Sequence, residues 1–197
     1  MTDFQITSTI TIGLAIVGLI AKYINDLRIT NKKANLDTKK SQLDSELNRV
    51  NEQLQHFYGP LKALNEASEI AWIGFRKKYR PHTQHYFSNK EMPNDVELEA
   101  WRLWMSIVFM PNNNKMFEII ISRLDLLIED EMPESLKLLC AHVSAYKTVM
   151  VKWENGDYSE HTSIVNFPAH EVKKYTDISF SNLKKKQRQL FGLIEKY

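Results

Sequence analysis

The chain has 197 residues, enough for one domain of ordinary size with an appendage. Its 26 basic and 24 acidic residues leave a net charge of +2, and hydrophobic residues make up 43%, which excludes a disordered chain and a polyelectrolyte. Cys140 is the only cysteine, so an intrachain disulfide and a multi-cysteine zinc site are excluded, and a reducing compartment is favoured.

An uncharged segment lies near the start of the chain. Residues 4–21 contain no charged side chain and are bounded by Asp3 and Lys22. At roughly 1.5 Å per residue this segment spans about 27 Å, close to the roughly 30 Å hydrocarbon core of a bilayer. We therefore predict a retained transmembrane helix within residues 1–24. The lysine and arginine excess that follows predicts, by the positive-inside rule, an N-terminus outside and a C-terminal part in the cytoplasm.

Small and hydroxylated residues share one stripe of this predicted helix. The stripe consists of Thr7, Thr11, Ala15, Gly18 and Lys22. Small residues allow transmembrane helices to approach closely, so one interpretation is a packing seam. The other is a pore lining, which requires several copies of the helix around an axis because a single helix encloses no channel.

A heptad pattern follows over residues 25–58. Ile29, Leu36, Leu43, Val50 and Phe57 recur every seven residues, and Leu47 and Leu54 fill the complementary positions. Nearer the membrane those positions hold Asp26, Lys33 and Lys40. We expect a coiled-coil stalk that splays there, with Lys33 and Lys40 facing a wet vestibule that attracts anions. The alternative is an amphipathic helix packed on its own C-terminal domain, with the lysines near lipid headgroups.

Residues 59–197 predict a cytosolic all-α domain. Apolar periodicity and capping residues predict helices from Leu61 to about Tyr79, Asp95 to Met110, Asn112 to about Glu129, Glu134 to Trp153 with a stop at Asn155-Gly156, and about Ala169 to Lys196. Gly59-Pro60 is expected to interrupt the long helix, and Pro111 is expected to end the helix that precedes it. The predicted fold class is therefore all-α: one N-terminal transmembrane helix that continues into a helical stalk, followed by a helical bundle.

Catalytic signatures are absent from the sequence. No glycine-rich nucleotide loop and no Gly-x-Ser-x-Gly turn occurs. Cys140 lies among apolar residues typical of inert core packing, and His82 and His85 lack further metal ligands at a suitable spacing. Asp157, Glu160 and His161 favour a capped loop over a hydrolase, which remains a third hypothesis. We predict no enzyme, no cofactor and no metal.

Two basic runs are candidate ligand-binding sites. The first is Arg76, Lys77, Lys78 and Arg80; the second is Lys184, Lys185, Lys186 and Arg188. Aromatic residues lie close to both runs: Phe75, Tyr79, Tyr86 and Phe87 near the first, and Phe180 and Phe191 near the second. This mixture suits single-stranded nucleic acid because cations follow phosphates while bases stack on rings. A solvated charged face and a lipid-headgroup contact are the alternatives. A further alternative is structural. The acidic corner at Glu129, Asp130, Glu131 and Glu134 could form ion pairs with one of the two basic runs of a neighbouring subunit.

Several strings resemble a known family. They are HFYGPLKALNEAS, WRLWMSIVFMP, DLLIEDEMPES, LCAHVSAYK and GDYSEHTSIVNFP, between residues 56 and 168. Together they resemble a bacterial family of small membrane-anchored proteins. The layout of span, stalk and helical domain resembles the membrane effectors of anti-phage defence, most closely the DNA-gated channel effector of Hailong systems.

That resemblance implies a partner nucleotidyltransferase whose short DNA oligomer holds a tetrameric channel shut, and loss of the oligomer opens it. The sequence thus leads us to expect a homo-oligomeric ion channel of the bacterial inner membrane, gated by an anionic ligand. Which basic run holds the ligand stays open. The alternative is a non-conducting, membrane-tethered scaffold that recruits a cytosolic partner.

Overall fold

Six α-helices account for most of the chain in the computed structural model, which describes residues 3–83, 85–87 and 91–196, with side chains from Gly18 onward. The helices are α1 (Asp3–Gln53), α2 (Gly59–Tyr79), α3 (Asp95–Trp104), α4 (Met110–Ser122), α5 (Glu134–Glu154) and α6 (Ala169–Ile194). No strand occurs among these described residues, so the predicted all-α class is confirmed.

The chain divides into two compact units. One is Arg49–Arg188, and the other joins the residues up to Asn48 with those from Gln189 on. The first unit begins inside the predicted stalk, and it buries Val50, Leu54 and Phe57. This half of the heptad pattern therefore packs within its own chain, as the alternative interpretation of the stalk proposed, and it is not open to a coiled-coil partner.

The sequence led us to expect a break in the helix at Gly59-Pro60, but the structure shows that the helix continues there. A five-residue π-helical turn, Leu54–Tyr58, joins α1 to α2, and the amide of Gly59 donates to the carbonyl of Leu54, five residues earlier. Pro60 lacks an amide hydrogen and its ring would clash with the carbonyl four residues before it in an α-helix. The wider turn relieves this clash, so the chain continues as a helix.

The same device recurs at Pro111, which was expected to end a helix. The π-helical turn Met105–Phe109 joins α3 to α4, and the amide of Met110 donates to the carbonyl of Met105. The helix then ends earlier than the predicted Glu129, at Ser122, and a single 3₁₀ turn follows over Leu124–Leu126. By contrast, the predicted start at Asn94 is confirmed, because its side chain and that of Glu97 form a reciprocal capping box.

Ion pairs join α2 to α6 inside the unit Arg49–Arg188. Lys62 pairs with Asp177, and two turns further along α2 Glu69 pairs with Lys173. Residue numbers rise along one helix as they fall along the other, so the two helices run antiparallel. The hydrophobic core of this unit consists of fully buried side chains, among them Phe57, Leu61, Phe75, Met116, Ile120, Leu136, Leu139, Val143, Val149 and Val172.

Tyr58, in the first π-helical turn, is fully buried beside this core. Its hydroxyl accepts a hydrogen bond from the amide of Ile128 at 3.0 Å and lies 2.9 Å from the hydroxyl of Tyr175. Tyr175 donates to Glu129 at 2.9 Å, which gives this member of the acidic corner an intrachain role. Burial raises the pKa of both phenols, so they stay protonated donors at neutral pH.

Gly59→Ala should destabilise the unit Arg49–Arg188. A β-carbon at position 59 would lie well inside van der Waals distance of the backbone oxygen of Leu54, and backbone cannot move aside as a flexible side chain can. We expect a loss of about 1–3 kcal/mol in the free energy of unfolding, measured by urea titration followed by tryptophan fluorescence.

Gly74→Ala is the matched control in the same helix. A β-carbon there meets nothing within 4 Å, so helix propensity alone acts and should stabilise by up to about 1 kcal/mol. Equal effects of the two substitutions would contradict the close approach at Gly59.

Candidate functional site

Arg76, Lys77 and Lys78 of the first basic run lie in the last turn of α2, where cations interact favourably with the helix dipole, and Arg80 follows as the C-cap. Its members have different surroundings. Lys77 and Lys78 are exposed, and the ammonium of Lys78 lies 5.1 Å from the centre of the Tyr79 ring. The Arg80 side chain is only 1% exposed. The run is therefore not one uniform basic surface.

Arg80 serves the fold. Its Nη2 donates to the carbonyl of Glu91 at 2.7 Å, and its Nη1 lies 3.5 Å from a carboxylate oxygen of Glu97. A buried guanidinium is tolerated because this carboxylate compensates its charge. Arg80 was predicted to bind ligand, but these contacts turn it inward, where it ties the connection after α2 to the start of α3.

Arg76 reaches a cleft with a volume of about 390 Å³. The residues that line the cleft are Trp72, Ile73, Arg76, His85 and Tyr86. One Nη of Arg76 donates to the carbonyl of Thr83, and the guanidinium carbon lies 5.6 Å from the centre of the Trp72 ring. Arg76 and Trp72 share a face because they are one helical turn apart on α2.

A cluster of aromatic rings forms the wall behind this cleft. Tyr86 stacks on Trp101 with ring centres 5.2 Å apart, and Trp72 lies 6.1 Å from Tyr86. The Tyr86 hydroxyl donates to the carbonyl of Glu97 at 2.6 Å, and burial raises the pKa of Tyr86 to about 12. The phenol therefore stays neutral at physiological pH, and the wall has a fixed shape.

This arrangement combines a cation with flat aromatic surfaces. A guanidinium binds phosphate or carboxylate through several parallel donors, and Trp72 offers a ring on which a planar group can stack. The volume lies within the range of small-molecule pockets, roughly 300–1,000 Å³. The cleft thus suits a ligand with a negative group beside a planar ring.

Sequence reasoning identified Arg76 and Tyr86 but missed Trp72 and His85. Trp72 precedes the basic run by one turn, and the spacing i, i+4 to Arg76 is the signal that finds it. His85 was treated as an ordinary loop histidine, and only the folded connection brings it to the cleft. His82 is exposed, and within the described ranges no three His, Cys, Asp or Glu side chains gather as a metal site.

The second basic run lies on α6 and contributes nothing to the lining of this cleft. Lys184 donates to Gln187 at 2.6 Å, and Gln187 donates in turn to Asn51 at 2.6 Å. Lys185, Lys186 and Arg188 are exposed on the same helix. The structure thus separates one side chain of the run, which serves packing, from three that face solvent.

The loop that carries Asp157, Glu160 and His161 is held by its backbone. Trp101 and Tyr146 both donate to the carbonyl of His161, at 2.7 and 2.8 Å, and Trp153 donates to the carbonyl of Glu160 at 2.7 Å. These buried donors fix the path of the loop across α3 and α5.

The side chains of the loop engage separate partners. Asp157 accepts a hydrogen bond from the amide of Ser159, Glu160 pairs with Lys152, and the His161 ring lies nearly parallel to Phe87. Each residue thus has a turn-forming or surface contact of its own, as the capped-loop interpretation proposed. Burial also raises the pKa of the half-buried Cys140 thiol, which weakens it as a nucleophile at neutral pH.

The remaining predicted residues lie on α1. The side chains of Thr7, Thr11 and Ala15 lie outside the described residues, whereas Gly18, Lys22, Lys33 and Lys40 are exposed. Among the helical residues whose side chains are described, no stretch is both long and apolar enough to span a bilayer. Most of the predicted span, residues 4–17, falls outside that part.

Comparison of the chain with known protein families, with curated proteins and with solved structures gives no match. The function must therefore be argued from the cleft and from the residues around it.

The free energy of unfolding should decrease as the pH is lowered, because His142 is buried in its neutral form. Its Nδ1 lies 2.7 Å from the carbonyl of Val165, so Nδ1 carries the proton, and burial lowers the pKa of the ring below its usual 6.5. The neutral ring stabilises the fold above that pH, and the contribution is lost as the pH falls through the lowered value, because the unfolded chain then binds more protons.

His142→Asn tests this dependence, because the amide keeps a donor for Val165 and removes the titration. As the pH is lowered from about 7.5 to about 5.5, the free energy of unfolding should decrease less steeply in the variant than in the wild type. The difference in slope should reach up to about 1.4 kcal/mol per pH unit. Urea unfolding at each pH measures the difference. His161, whose pKa burial also lowers, is present in both proteins, so parallel pH profiles would contradict the assignment to His142.

Proposed function

We propose that this protein is a homo-oligomeric membrane channel effector whose helical bundle senses an anionic ligand. The observation that carries the proposal is the cleft, where the guanidinium of Arg76 lies beside the rings of Trp72 and Tyr86. A nucleotide unit offers a phosphate to the first and a base to the second. The resemblance to Hailong effectors favours a short DNA oligomer, made by a partner nucleotidyltransferase.

The membrane part of the proposal rests on the sequence. Residues 4–21 are uncharged, and several copies of the stripe from Thr7 to Lys22 would line a polar path through a bilayer. The resemblance supports the bacterial inner membrane as the location, a tetramer as the assembly and anti-phage defence as the setting. The bundle would then lie in the cytoplasm.

Gating requires that the ligand bind one state of the channel more tightly than the other, because equal affinity shifts no equilibrium. Arg76 offers a route to such a difference. It already holds the carbonyl of Thr83, in the connection after α2, and its other donors remain for a phosphate. A phosphate bound there would order this connection together with the cleft.

One observation favours the non-conducting scaffold as a second candidate. A groove of about 360 Å³ lies between α4 and α5, with Met110, Met150 and Val151 in its lining. Ile107, in the adjoining π-helical turn, is 68% exposed. Exposed apolar side chains beside a groove are typical of a surface that recruits a protein partner.

Arg76→Gln should weaken the binding of a short single-stranded DNA oligomer to the purified protein by roughly tenfold or more, since one phosphate contact is lost. Glutamine keeps a donor for Thr83, so the fold around the cleft should persist. Fluorescence anisotropy of a labelled oligomer at fixed salt measures the affinity.

Lys77→Gln is the matched control, because it removes the same charge from the next, exposed position of α2. We expect its affinity to fall by less than about threefold, the effect of long-range charge alone. If both variants lose affinity equally, the oligomer follows the general charge of the protein and the cleft is not its site.

The channel itself is tested in planar bilayers with the full-length protein. Discrete currents that the oligomer alters are expected, and Thr11→Leu should reduce the single-channel conductance by roughly half or more because it adds bulk to the proposed lining. Ile12→Leu, off the stripe, is the control and should leave the conductance unchanged. A silent bilayer from verified oligomers would contradict the channel and favour the scaffold.

A further inference from the structure

A long stretch of α1 is left exposed by the part of the chain that the structure describes. Every residue from Gly18 to Gln42 is exposed, including Ile29 at 58% and Leu36 at 44%. Most helical stability in proteins comes from packing of an apolar face and not from helix propensity. The hydroxyls of Thr30 and Thr38 donate to carbonyls of their own helix. The apolar line is therefore open to a partner outside the chain.

The charges beside this line repeat with the heptad. Ile29, Leu36 and Leu43 occupy position d, and Asp26, Lys33 and Lys40 occupy position a. The flanking positions divide by sign. Position g holds Asn25, Lys32 and Lys39, whereas position e holds Thr30, Asp37 and Asp44.

This division determines the direction of a partner that carries the same sequence. In a parallel coiled coil, position g of one helix lies beside position e of the next heptad on the other, five residues further along. Lys32 then meets Asp37 of the other copy, and Lys39 and Asp44 repeat the spacing. In an antiparallel pair, g meets g and e meets e, so lysine would face lysine and aspartate would face aspartate.

We propose that residues 25–46 of α1 form a parallel, in-register coiled coil with the same segment of other copies of this chain, held by Lys32 of each copy against Asp37 of its neighbour. The inference rests on the self-assembly that the proposed function requires, and it adds direction, register and specific contacts. It replaces the splayed vestibule that the sequence led us to expect around Lys33 and Lys40 with a paired segment. Lysines at position a weaken the packing, so the flanking ion pairs decide the orientation.

Disulfide cross-linking of the full-length protein tests the arrangement. In a Cys140→Ser background, Leu36→Cys at position d should form a disulfide between copies, because in-register d positions bring their Cα atoms within about 7 Å. Ala34→Cys, on the opposite side of the helix, should not. Cross-linking at Ala34 but not at Leu36 would overturn the proposal.

Charge reversal tests the ion pair in the Leu36→Cys protein. Lys32→Glu alone or Asp37→Lys alone should slow cross-linking by roughly tenfold, since each replaces attraction with repulsion, and the double reversal should restore the rate. Arg28→Glu, which makes the same charge change outside the seam, should have little effect. Failure of the double variant to recover would overturn the assigned pair.

Conductance of the same proteins separates the two proposals. Discrete currents without cross-linking at Leu36 would refute the parallel stalk and leave the channel standing. Efficient cross-linking with a silent bilayer would refute the channel and support the stalk. Tryptophan fluorescence checks that the unit Arg49–Arg188 is folded in each variant, because this unit contains Trp72, Trp101, Trp104 and Trp153.

Discussion

Proline inside a helix removes one amide donor and presses its ring against the carbonyl four residues earlier, at a cost of about 3 kcal/mol. This chain contains that conflict at Pro60 and at Pro111, and both times a π-helical turn resolves it. The wider turn moves the carbonyl aside and keeps the helix continuous. It also places Phe57, Tyr58 and Phe109 in the interior, where they anchor the packing of α2 and α4.

Backbone carbonyls outside the helices are the second recurring element. In several irregular segments buried side chains donate to them, which satisfies groups that no helix partner reaches. The donors are Gln53 to Leu126, Arg80 to Glu91, Trp101 and Tyr146 to His161, and His142 to Val165. The connections that flank the cleft and α5 are therefore ordered by long side chains of the helices. The candidate site depends on this order, since His85 and Tyr86 lie in such a connection.

Local signals predicted most of the helices. Asn94, Pro133 and Gly156 mark helix ends that the structure confirms, because capping, a fixed φ angle and the positive φ of Gly156 act within a few residues. The π-helical turns could not be predicted, because a proline after an apolar run indicates a break and a widened turn equally well. The choice between them depends on packing that the sequence does not display.

The candidate site was predictable in part. Composition pointed to Arg76 and to the aromatic residues near it, and helical spacing adds Trp72. Arg80 belongs to the same basic run, yet its role depends on Glu91 and Glu97, whose positions follow only from the folded connection. Charge runs therefore identify a region, whereas burial decides which cation is presented to a ligand.

The loop between α5 and α6 has a consequence for how this protein can change over time. Its path is fixed by the indole, phenol and imidazole donors of Trp101, Trp153, Tyr146 and His142, which bind main-chain oxygens, and every residue type supplies such an oxygen. Outward side chains such as Ile164, which is 97% exposed, can thus be exchanged without altering the shape of the loop. Mutation can diversify this surface from one lineage to the next while the scaffold beneath it is preserved.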